Sequence, residues 1–177
     1  YLLKDAEPVK FIDGILKFKI DVLETYKNDS SDYFKKHIKY VLGKTIDNIN
    51  YFGSPNELEK FNFYIRGQAV LYSLPSYMDY FQDFYSAVLQ KLNKRSKQLV
   101  LGGLSTGDGE GLVRGLLTDS IVPNLQIAEI IALQIIKTEY PKGSIPQNAL
   151  IKATKFIELN SSYEQNKTIA KNIRTQF

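Results

Sequence analysis

Apolar positions recur along most of the chain at the three-to-four-residue step of a helix rather than the two-residue step of a strand. Val9, Ile12, Leu16, Leu23 and Tyr26 mark a first stripe, and Phe11, Ile15, Phe18 and Val22 widen it. The pattern predicts a helix opened by Asp5 as N-cap, with Glu7 and Pro8 in its first turn, where proline loses no helical hydrogen bond. It fades near Lys27, at the turn Asn28-Asp29-Ser30-Ser31. So wide a stripe predicts burial on two sides.

A second segment follows with Ser30 or Ser31 as cap. Phe34, Ile38, Val41, Leu42, Thr45, Ile46 and Ile49 are expected inside, with Lys35, Lys36, Lys39 and Lys44 outside. Phe52-Gly53 reads as its end, Gly53 taking the left-handed C′ position. Ser54-Pro55-Asn56-Glu57 then has the form of a capping box on Ser54. The third helix it opens carries Leu58, Phe61, Ile65, Ala69 and Tyr72 and should stop at Pro75. A fourth helix is predicted from about Ser76 to Leu99, striped by Tyr77, Phe81, Phe84, Tyr85, Val88 and Leu92. Lys91, Lys94, Arg95 and Lys97 would then occupy its last turns, where cations complement the helix dipole.

The stretch 102–111 holds five of the chain's eleven glycines and predicts a loop. A short helix through Leu112, Val113, Leu116 and Leu117 should follow it, bounded by Thr118-Asp119-Ser120 and Pro123. The run Leu125 to Ile136 is the most apolar in the chain and is expected to be the most buried element. Its length favours helix over strand. Tyr140-Pro141-Lys142-Gly143 reads as a turn, and Ser144-Ile145-Pro146-Gln147 as a second capping box for a helix with Leu150, Ala153, Phe156 and Ile157. Asn160-Ser161-Ser162 breaks that helix. Ser161 to Glu164 suggests a third box, before a last helix with Tyr163, Ile169, Ala170 and Ile173.

These elements predict an all-α chain of about eight helices with short connections, as an antiparallel bundle or an irregular, HEAT-like helical-repeat stack. The expected organisation is one helical domain over 1–177, with a long-helix half 1–101, the glycine-rich loop 102–111 and a short-helix half 112–177. The start Tyr1-Leu2-Leu3 suggests a domain excised from a longer protein. No run approaches the roughly 18 apolar residues of a membrane span. An intracellular location, cytoplasmic or nuclear, is expected, and an extracellular one stays open.

Composition removes several chemistries. There is no cysteine, so disulfides, thiolate metal sites and a cysteine nucleophile are excluded. One histidine, His37, leaves no His-rich zinc site, and its lysine-flanked position reads as surface. Asp79 and Asp83 share a helix face at i, i+4, but no Glu-x-x-His motif accompanies them, so surface charge is the expectation. Asp108-Gly109-Glu110 fails the calcium-loop pattern, because position 5 falls on Leu112 and position 6 on Val113. Glycosylation sequons stand at Asn28, Asn160 and Asn166 and carry little weight. No catalytic residues, cofactor or metal are predicted, and the chain is expected not to be an enzyme.

The function expected is a protein–protein interaction scaffold within a larger protein or complex. Tyr77, Tyr80 and Phe84, with Lys91, Lys94 and Arg95, are the candidate partner-binding residues, as aromatic anchors beside cations. The net charge of +4 also allows nucleic-acid binding, RNA above all, through the basic helix surfaces. A third reading places a phosphate or other small anion at the glycine loop, against Gly107, Gly109 and Arg114. That loop lacks Gly-Lys-Ser/Thr and follows a predicted helix rather than a strand, which leaves an inter-helix connection as the simpler reading.

Overall fold

The computed structural model describes residues 6–48 and 54–177, with 6–10 as backbone alone. The described chain is all-α, with ten α-helices, two π-helical turns, one 3-10 turn and no strand. The N-cap expected at Asp5 and the helix end expected at Phe52-Gly53 lie outside the described residues. Contacts divide the chain into two compact units, Tyr1–Asp83 and Phe84–Phe177. The division therefore falls well before the glycine-rich stretch, not at it.

The first unit contains α1 (Ala6–Tyr26), α2 (Asp32–Leu42), a π-turn (Gly43–Asp47), α3 (Glu57–Lys60), a second π-turn (Phe61–Ile65) and nearly all of α4 (Pro75–Phe84). Helix α1 has the predicted extent, but not the predicted burial. Its inner row Ile12, Ile15, Lys19 and Val22 is only half-buried. Phe11, Leu16, Phe18, Ile20 and Leu23 are exposed. Helix α2 is capped as expected, Ser31 Oγ accepting from the Phe34 amide at 3.1 Å.

The later boundaries of this unit differ from the sequence pattern for identifiable reasons. Ser54 is not the cap of α3. Asn56 is, its side chain accepting from the Glu59 amide while Glu59 accepts from the Asn56 amide, a capping box two residues downstream of the expected one. The helix does not continue to Tyr72. After the second π-turn Arg66 is extended and Gly67 adopts a φ of 70°, a left-handed conformation that stops the helix. Pro75 opens α4 rather than ending α3, because proline at the first helical position leaves no donor unsatisfied.

The second unit contains α5 (Val88–Lys91), α6 (Lys94–Thr106), α7 (Gly109–Leu117), α8 (Leu125–Glu139), a 3-10 turn (Tyr140–Lys142), α9 (Gln147–Asn160) and α10 (Glu164–Arg174). The single helix expected over 76–99 is therefore three. Asn93 stops the run by capping α6, its Oδ1 accepting from the Ser96 amide, while Asp119 Oδ2 accepts from the Asn93 amide and side chain. Helix α8 is the buried helix expected, with Ile127 to Leu133, Ile135 and Ile136 all buried, and it contacts α5, α7, α9 and α10. That makes this unit a bundle about a central helix.

Glycine accounts for the α6–α7 corner, and it does so by close approach rather than by looseness. Gly102 to Thr106 are helical, and only Gly107, at φ 76°, leaves the helix as its C-cap. A Cβ on Gly103 would lie 2.6 Å from the Leu112 amide nitrogen, and one on Gly109 would lie 2.5 Å from Phe156 Cβ. The expected loop is thus a tight turn between two packed helices.

Two expected capping boxes are absent. Pro146 precedes α9 without a side-chain cap, and Ser144 Oγ turns to Glu139 Oε2 at 3.3 Å. Ser161 Oγ donates to the buried Glu129 carboxylate at 2.5 Å instead of capping α10. Asn166 Nδ2 donates to the same carboxylate at 2.8 Å, so the third sequon is buried inside the fold.

Candidate functional site

The two π-turns hold the most unusual side-chain arrangement of the first unit. A π-turn accommodates one residue more than an α-turn and often marks a functional position. The first ends at Asp47 and the second carries Tyr64. Asp47 is buried, and it accepts from the Tyr64 hydroxyl at 2.5 Å and from Lys19 Nζ at 2.6 and 2.9 Å. A buried carboxylate needs such partners to stay ionised without a large desolvation penalty.

Behind Tyr64 stand Tyr40, Tyr77 and Tyr80, all buried. Tyr64 and Tyr80 rings lie 4.5 Å apart, and Tyr40 meets Tyr77 edge-on at 4.9 Å. Gly43 makes room for this cluster, since a Cβ there would lie 2.8 Å from the Tyr64 ring. Burial pushes the Tyr40 phenol up to about 12. Tyr64 is raised further by burial, then by its hydrogen bond to Asp47 and by that carboxylate's charge. Tyr77 and Tyr80 are raised too, chiefly by burial. Lys39 lies 4.6 Å over the Phe63 ring, and its partial burial lowers its pKa.

A cavity of about 510 Å³ opens beside this cluster, lined by Lys19, Asp47, Pro55, Glu59, Lys60, Asn62, Phe63 and Tyr64. That size suits a small organic ligand. Sequence reasoning missed it, because its lining comes from three separated segments. The signal available was the odd placement of Asp47 among apolar neighbours at the end of an amphipathic run.

The aromatic anchors expected from sequence are not exposed. Tyr77, Tyr80 and Phe84 are 0 %, 0 % and 4 % exposed, so they belong to the core. Lys91 lies 4.9 Å over the Phe84 ring and donates to the Phe84 carbonyl. Lys94 and Arg95 are exposed, but in the first turn of α6 rather than the last turn of a longer helix, so they oppose the dipole instead of complementing it.

The anion site expected at Gly107, Gly109 and Arg114 is occupied by the chain's own groups. Asp108 caps α7, its Oδ1 accepting from the Gly111 amide at 2.9 Å. Arg114 pairs with Glu110 at 2.6 Å. Asp79 and Asp83 both face Lys44, at 3.7 and 3.4 Å, and behave as surface charge. His37 is half-buried on α2.

Among the described residues no cluster of His, Cys, Asp and Glu is arranged to hold a metal, and no helix is long and apolar enough to cross a membrane. Neither a family model, nor a curated protein, nor a solved structure matches the chain. Fold and side-chain geometry therefore carry the functional reading.

Proposed function

We propose that the chain is a non-enzymatic helical interaction domain whose first helix pairs with an amphipathic helix of a protein partner. The observation that supports this reading is the exposed apolar surface of α1. Leu16, Ile20 and Leu23 are 37 %, 59 % and 44 % exposed and follow one another at i, i+4 and i+7, the row that a second helix packs against. Phe11 and Phe18 form another exposed row seven residues apart. Contiguous apolar surface of this kind is a mark of interaction sites. The polar rim carries exposed Asp13, Lys17 and Asp21, so a matching helix bears a basic residue opposite each acid and an acid opposite Lys17.

The test compares the wild-type chain with Ile20→Glu/Leu23→Glu in cross-linking and affinity capture, with nuclease present. The reading expects a defined protein partner that cross-links to α1 and is lost in the variant. Capture unaffected by the substitutions overturns it. A dimer of the chain itself, seen by sedimentation and lost in the variant, would replace the partner by a second copy.

A second reading is supported by Lys94, Arg95 and Lys97, exposed together at the start of α6. They could meet nucleic-acid phosphates. RNA binding that falls steeply between low and moderate salt would support it, and salt-independent or absent binding would sink it.

A further inference from the structure

The cavity beside Asp47 has an unequal supply of hydrogen-bonding groups, and the inequality says what fits it. Its acceptors are largely engaged. Asp47 receives Lys19 on both oxygens and Tyr64 on one. Glu59 receives the Asn56 amide on Oε2 at 2.8 Å. The donors are not. Asn62 Oδ1 accepts from Arg66 at 3.3 Å, which orients the amide and leaves both Nδ2 hydrogens without an acceptor among the described residues. Lys60 lines the same cavity, is half-buried and has no ion pair among the described residues. Lys19 uses two of its three N–H groups on Asp47.

The walls supply the second half of the specificity. Phe63 is 59 % exposed although its ring is fixed, edge-on to Tyr64 at 4.8 Å and beneath the Lys39 ammonium. Pro55 and Tyr64 add apolar surface. An exposed, positioned aromatic beside uncommitted donors is the composition of a pocket for a ring that carries an anionic group.

We infer that this cleft binds a small aromatic carboxylate, its carboxylate held by Lys60 Nζ and Asn62 Nδ2 and its ring lodged against Phe63 and Pro55. Glu59 is the opposing charge on the rim. It weighs against a phosphate dianion more than against a monoanion, which is why the carboxylate is the better match. This inference stands on the cavity alone and not on the pairing of α1 with a partner.

Saturation-transfer NMR on the 177-residue chain, with phenylacetate, phenyl phosphate and phenethylamine as probes, tests it directly. Phenylacetate should receive saturation, phenyl phosphate less, and phenethylamine none. Lys60→Gln should weaken phenylacetate about tenfold while Lys60→Arg keeps it, as expected for loss of one charge-assisted hydrogen bond. Phe63→Leu should weaken it several-fold, circular dichroism confirming that each variant is folded. Phenethylamine binding as well as phenylacetate, silence from all three probes, or an unchanged Lys60→Gln variant would each overturn the assignment. Phenyl phosphate binding tightest would move the ligand to a phosphate ester and refute the carboxylate.

Discussion

The Tyr64 hydroxyl donates to Asp47 Oδ2 at 2.5 Å, joining the two π-turns through residues seventeen apart in sequence. Lys19 closes the same carboxylate from α1. One buried acid thus ties three segments of the first unit, and none of the three is a long regular helix except α1.

Removing that hydroxyl should be costly. Tyr64→Phe leaves Asp47 with one partner fewer and is expected to destabilise the fold by about 1.5–3 kcal/mol, the range for hydrogen bonds to charged groups. Urea denaturation followed by circular dichroism measures it; a loss below about 0.5 kcal/mol would mean that the bond contributes little.

The same edit at Tyr77 should have the opposite sign. Its hydroxyl is buried with no hydrogen-bond partner among the described residues. Tyr77→Phe removes an unsatisfied polar group and is expected to raise stability by about 1 kcal/mol. A lower denaturation midpoint in this variant would reveal a partner for that hydroxyl.

Alkali should unfold the first unit before its buried tyrosines ionise in place. The phenols of Tyr40, Tyr64, Tyr77 and Tyr80 are all raised in the folded state. An unfolded tyrosine releases its proton near pH 10, while the folded one keeps it. The folded state then binds more protons, so stability is complete below about pH 10 and falls as pH rises from there, through about 12 for Tyr40. Ultraviolet titration should show an early group of exposed tyrosines and a late cooperative step that coincides with loss of helicity.

Glycine-to-alanine substitutions around the α6–α7 corner should separate by position. Gly109→Ala and Gly103→Ala force a Cβ to within 2.5 Å of Phe156 and 2.6 Å of Leu112, and are expected to cost about 1–3 kcal/mol. Gly102→Ala meets nothing within 4 Å in a helix interior and should gain about 0.5–1 kcal/mol. Thermal melts of the three variants decide the matter; equal effects would contradict the packing role.

Much of the second unit was legible from pattern, because its apolar residues recur at one period over long runs. Helix α8 is the clearest case, and the breaks at Tyr140–Gly143 and at Asn160–Ser162 also fall where turn residues predict them. The first unit was less legible for a physical reason. The inward face of α2 passes through Tyr40, Gly43 and Asp47, whose tyrosine, glycine and acid hide it from an apolar pattern, while Val41 and Thr45, expected inside, are exposed. Pro75 is ambiguous in sequence, since proline both stops and starts helices, and only the conformation of Gly67 decided which. The candidate cavity depends on meetings between distant segments, which periodicity does not encode. Of the exposed row on α1, Leu16 and Leu23 lie in the predicted wide stripe and Ile20 does not, and the width of that stripe implied burial only on the assumption that this chain supplies both covering surfaces.

The corner between α6 and α7 has a further consequence, for descent rather than for folding. Gly103, Gly109 and Gly115 recur every six residues, and at each a side chain would collide with a neighbour closer than 3 Å away. A lineage that keeps this corner must inherit all three unchanged, whereas Gly14 and Gly102 have open space and are free to drift.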